Sequence, residues 1–151
     1  MPDDTTTPPE MPAPTPNPDL AGLDRLVGTW KVSGGAEGTT TFSWMEGGFF
    51  LAQQVDLTQF GQAVKGLEII GHEQPFGEAP KPAITSRYYD NMGNTFDYEY
   101  EIEGDTLTIW AGGKGSPAYY RGTFSADGDT LTGSWVYPGG GGYDSISTRV
   151  A

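Results

Sequence analysis

The residues able to do chemistry in this chain are few. His72 is the sole histidine and cysteine is absent. It closes the stretch Ile70-Gly71-His72-Glu73, in a period-two run that puts Glu68, Ile70 and His72 on one face and Leu67 and Ile69 on the other. A lone imidazole can serve as a general acid or base, or as one axial ligand. Glu68, Glu73 and Asp90 could pair with it in space, but no spacing joins them to it. A strand-end histidine at a barrel rim, simply solvated, is the plainer reading. Arg87 lies between Thr85 and Tyr89 on one face of a second run. Turned inward, it would be a buried cation needing an anionic ligand or an internal carboxylate. Ile84, Ser86 and Tyr88 make an equally good inner face. A set of alternating aromatics completes the inventory: Phe42, Trp44, Phe96, Tyr98, Tyr100, Phe124 and Trp135. The candidate ligand-binding residues are therefore His72 and Arg87 with Phe42, Trp44, Tyr98, Tyr100 and Trp135. No catalytic set stands out, and His72 is the one acid–base candidate.

Other chemistries are excluded or unsupported. Without cysteine there are no disulfides, thiolate nucleophiles or Cys-ligated metals, and one histidine cannot make a multi-histidine site. No metal is expected. Residues 113–118 match G-x-G-x-x-A, but Pro117 and the strand-like AYYRGTF follow, whereas a dinucleotide fingerprint must open a helix. Asp127-Gly128-Asp129 is a turn without the ligand spacing of a calcium loop. A net charge of −12 disfavours nucleic acid, whose phosphates need clustered Lys and Arg. No apolar run of about 18 residues suggests a membrane span. No basic, apolar leader is visible, and the expected location is the cytoplasm.

These residues must be positioned by short strands. Twenty-three glycines and 13% aromatic residues suit strands joined by tight turns. Residues 1–18 hold seven of the twelve prolines and read as a disordered tail. The folded domain then spans residues 19–151. Residues 19–27 (DLAGLDRLV) form the one helix-like stretch, with Asp19 as cap and Leu20, Leu23 and Val27 on one face. Period two then takes over, most clearly in TFDYEYEI (95–102). Strands are expected at 29–33, 39–45, 49–57, 63–72, 83–89, 95–102, 106–111, 118–125, 130–136 and 143–150. About ten strands in one short chain leave costly edges unless the sheet closes. The expected fold is all-β, a single antiparallel up-and-down barrel with a short N-terminal plug helix. A β-sandwich would need longer crossovers. The Pro-rich connection 73–82 is a candidate lid at the barrel mouth.

The segment Leu26-Val27-Gly28-Thr29-Trp30 resembles the opening of lipocalins and their calycin relatives, a short helix followed by G-x-W. The resemblance implies that Trp30 sits at the closed end of the barrel with a late arginine over it, here Arg149. That pair would be structural. LVGTWKV, FSWMEGGFFLAQQVD, KGLEIIGHE, DNMGNTFDYEYE and the closing STRV resemble, more closely, a family of bacterial lipocalin-like proteins known only as a domain of unknown function. The strand count is similar to that of nitrobindins, haem barrels whose iron ligand is a late histidine. Here the histidine is mid-chain, so no haem or other cofactor is expected. The Arg–Tyr arrangement of fatty-acid-binding barrels is what an inward Arg87 would resemble.

The reading that follows is a binder of a small hydrophobic or amphipathic molecule. The alternatives are a barrel enzyme of isomerase, cyclase or hydrolase type using His72, or a scaffold with a filled interior. Nothing in the sequence speaks to the oligomeric state.

Overall fold

A computed structural model describes residues 12–151. The first eleven residues of the expected tail lie outside the described residues. Residues 12–17 have no regular structure, and the helix begins at Pro18. Ten strands follow: β1 (Gly28–Gly34), β2 (Ala36–Trp44), β3 (Phe50–Gln59), β4 (Gln62–Gly71), β5 (Ile84–Asp90), β6 (Thr95–Glu103), β7 (Thr106–Ala111), β8 (Tyr119–Phe124), β9 (Thr130–Val136) and β10 (Tyr143–Arg149). Each pairs antiparallel with its neighbour in sequence, and β1 pairs with β10 to close the barrel. Closure gives each strand two neighbours, so no edge strand remains among the described residues. The outer face carries ion pairs, Arg87–Asp97 at 2.8 Å and Lys114–Glu101 at 2.6 Å among them. No helix of the described residues is long and apolar enough to cross a membrane.

The two ends of the barrel differ. The Pro18–Leu26 helix crosses one end, and it is a 3-10 helix rather than an α-helix. Its apolar residues explain the choice. Leu20, Leu23 and Leu26 recur every three positions, and with three residues per turn they line up on one side, each at most 3% exposed. The sequence reading paired Leu20 and Leu23 with Val27, which an α-helical period would favour. Val27 instead caps the C-terminus, its N–H bonding the Asp24 carbonyl. The expected N-cap, Asp19, also moves by two. Asn17 caps the helix by accepting from the Asp19 N–H at 3.0 Å, which frees the Asp19 carboxylate for another contact. Below the helix, Leu51, Ile70, Leu107, Phe124 and Leu131 fill this half of the lumen.

Arg149 and Trp30 stand opposite each other in the β1–β10 register. The guanidinium lies 4.2 Å from the centre of the Trp30 ring. It also donates to the carbonyls of Val27, Arg25 and Gly128 and to the Asp129 carboxylate. The Trp30 indole N–H donates to the Leu26 carbonyl at 2.8 Å, tying strand to helix. Gly28 makes room for this. It sits at φ 127°, and a Cβ there would stand 2.8 Å from the guanidinium and 2.6 Å from the Ala151 carbonyl oxygen. Trp30→Ala is expected to cost about 3–5 kcal/mol in urea denaturation, as for other buried aromatic truncations. A loss below about 1 kcal/mol would show that the plug does not depend on this contact.

Candidate functional site

The opposite half of the barrel is hollow. A cavity of about 400 Å³ opens between the hairpin ends, within the size range of small-molecule sites. Six of the eight tyrosines face it: Tyr88, Tyr98, Tyr100, Tyr120, Tyr137 and Tyr143. An aromatic wall runs through Tyr88 and Phe96, stacked at 5.7 Å, to Tyr98, then to Trp135 at 5.9 Å. Tyr120 and Tyr137 flank Trp135 at 5.4 and 6.1 Å. Glycines on the inner faces of β8 and β9 accommodate this bulk. A Cβ at Gly122 or Gly133 would lie 2.3 or 2.7 Å from the Tyr120 hydroxyl, so the phenol occupies space that any side chain there would take.

At the base of the cavity, one step above the apolar floor, sits a buried carboxyl. Glu68 of β4 is 4% exposed. The Tyr100 hydroxyl reaches both its oxygens at 2.8 Å, and the Ser86 hydroxyl donates to one at 2.6 Å. Burial pushes the Glu68 pKa above its ordinary value, against the pull of Ser86 and Tyr100. Burial also raises Tyr98, Tyr100 and Tyr120, and Tyr137 to about 12, so the phenols stay neutral donors at ordinary pH. At the mouth Asp90 behaves oppositely. Burial tends to raise it, but bonds from Asn94, Met92 and Tyr88 prevail and hold it below the usual carboxylate value. Met92 and Phe96 at the rim are nearly half exposed. The cavity therefore offers an apolar, aromatic wall, one acid at depth and one carboxylate at the entrance.

The structure divides the sequence candidates. Phe42, Tyr98, Tyr100 and Trp135 line the cavity. Trp44, His72 and Arg87 do not. Trp44 ends β2 under the plug, its indole N–H donating to Asp24 at 2.6 Å. Arg87 faces outward with its side chain 55% exposed and bonds Asp97, because the alternative face, Ile84, Ser86 and Tyr88, is the inner one. His72 is buried, but at the plugged end. Its ring nitrogens meet the Lys81 carbonyl and the Asp19 carboxylate, each at 2.8 Å. It is not beside Glu68 or Asp90 as an acid–base partner, nor can it reach a group held in the cavity as an axial ligand. Connection 73–82 also belongs to the plugged end, since it carries Lys81 to His72, and it is no lid over the mouth. From the sequence, Glu68 stands only as a possible partner of His72, Ser86 and Tyr88 only as an alternative inner face, and Tyr120 is not singled out. A signal was available, an acid interrupting the inward face of Val64, Glu68 and Ile70.

A shallow depression on the outside of β2–β5, lined by Thr39, Thr41, Gln54, Asp56, Lys65 and Leu67, is open to solvent. Among the described residues, no three His, Asp or Glu side chains gather as metal ligands do. No protein-family model matches the chain, and no curated protein matches it.

Two outcomes follow. Glu68 binds its proton more tightly folded than unfolded, so its contribution to stability is complete below pH 4.5 and disappears as pH rises through the folded pKa. Relative to the unmodified protein, Glu68→Gln should therefore gain stability as pH rises above 4.5 in paired denaturation series. A stability difference that does not change with pH would contradict the buried-acid assignment. His72→Gln should lower stability by about 1–2 kcal/mol through the lost plug contacts and leave the cavity unaltered. A variant as stable as the parent would remove His72 from the plug's support.

Proposed function

We propose that this protein binds a small hydrophobic or amphipathic molecule in the open half of its barrel, in the manner of the lipocalin-like proteins its sequence resembles. The observation that carries the reading is the cavity of about 400 Å³, whose wall is largely aromatic and which has the buried Glu68 carboxyl at its base. A scaffold protein would gain stability by filling that space, because interiors normally pack to crystal-like density. Exposed apolar residues at the rim, Met92 and Phe96, suit the entry of an apolar molecule. The reading of an enzyme run by His72 finds no such support, since both ring nitrogens are engaged at the far end.

Ser145 offers a clean test. It lines the cavity at 8% exposure opposite Gly133 of β9, so a larger side chain there would fill lumen beside Tyr120 and Tyr143. Native mass spectrometry against a metabolite mixture should retain one or more small amphipathic molecules at unit stoichiometry. Ser145→Phe should abolish that retention while the protein stays folded by circular dichroism. Retention unchanged by Ser145→Phe would place binding elsewhere, and no retention by the unmodified protein would argue for an empty scaffold.

A further inference from the structure

We infer that the cavity selects an organic cation: an amine or quaternary ammonium carried on an apolar body, with its charged end near Glu68 and its body along Tyr98 and Trp135. This rests on the binding role just proposed and adds the charge of the ligand.

The first support is the lining itself. Its ionisable side chains are acids and phenols, with Glu68 at depth and Asp90 at the mouth. Among the described residues, no Lys, Arg or His contributes to it. An anionic ligand, a fatty acid for example, would bring its negative charge into a low-dielectric space with no cation to meet it. The outward turn of Arg87 is decisive here, because Arg87 was the one residue able to make the cavity an anion site.

The second support is the aromatic wall. Phenol and indole faces carry negative quadrupoles, and a cage of them is the usual way proteins hold alkylated ammonium groups in a desolvated site. The Tyr98–Trp135 pair sits at the level where the body of a molecule touching Glu68 would lie. The third support is global. A chain of net charge −12 draws cations toward it from solution and repels anions. Asp90, fixed by Asn94 and Met92 at the rim, extends that field to the entrance.

The groups facing Glu68 define what the ligand must compete with. These are Ser86 of β5, Tyr100 and Tyr98 of β6 and Tyr88 of β5, all neutral donors. None supplies positive charge, so the carboxylate form of Glu68 lacks a counter-ion until a ligand brings one. An ammonium would replace the proton that burial otherwise holds on this group.

Three probes on one skeleton separate charge from shape: 4-phenylbutylammonium, 4-phenylbutan-1-ol and 4-phenylbutyrate, titrated calorimetrically into the full chain at neutral pH. The expected order is ammonium tightest by tenfold or more over the alcohol, with the carboxylate weakest. Glu68→Gln should lower ammonium affinity at least tenfold and leave the alcohol within about twofold, since the amide keeps the shape and removes the charge. Alcohol binding as tight as the ammonium, or carboxylate binding as tight as either, overturns the cation preference and leaves the binding role standing. Failure of all three to bind overturns both. The ranking on the unmodified chain decides the matter even if Glu68→Gln does not fold.

Discussion

A single guanidinium holds together parts of this barrel that the sheet alone would leave independent. Arg149 comes from the last strand, lies on an indole from the first, and donates to carbonyls at the end of the plug helix and in the β8–β9 turn. Closing ten strands into a ring produces a lumen wider than side chains readily fill. One end must therefore be stoppered if the fold is to have a core at all. The helix supplies leucines for that purpose, but nine residues of 3-10 helix have little stability alone. Arg149, Trp30, the Asp24–Trp44 bond and the Asp19–His72 contact fasten it in place. The packed half and the hollow half of the barrel both follow from that arrangement.

The hollow half is where the molecule accepts a cost. Glu68 could be a leucine as far as the fold is concerned, for Val64 and Ile70 share its strand face. A buried carboxyl is tolerated because Tyr100 and Ser86 satisfy its oxygens. It still raises the free energy of the ionised form, which makes the site sensitive both to protons and to any cation that enters. A buried acid whose pKa is raised, set in a cavity, marks a candidate functional group. The tyrosines belong to the same economy: their rings supply apolar wall, and their hydroxyls stay neutral and available.

Much of the architecture was legible in the sequence, because it rests on local patterns. Alternation in TFDYEYEI, turn residues such as Glu103-Gly104-Asp105 and the G-x-W opening all act within a few residues. The site was only half legible. Tyr98, Tyr100 and Trp135 lie on strands whose parity is unmistakable. Arg87 does not: on β5 either face could be read as the inner one, and a one-residue change of parity sends Arg87 outward and Ser86 and Tyr88 inward. His72 and Trp44 were misplaced for a different reason. Their strands are found within a few residues of the expected bounds, with His72 just past the end of β4, but which end of the barrel the plug covers is set by contacts over long sequence separations, such as Asp19 with His72. The same blindness turned connection 73–82 into a lid.

The polar cluster of Glu68, Ser86 and Tyr100 and the aromatic wall above it are proposed to form one binding site. A crystal structure of the protein with a molecule retained from a metabolite mixture tests this most directly. Ligand density is expected between Glu68 and Trp135, with its polar end within hydrogen-bond distance of the Glu68 carboxyl. Density on the outer face of β2–β5, or a lumen that holds only water beside a ligand bound elsewhere, would contradict it.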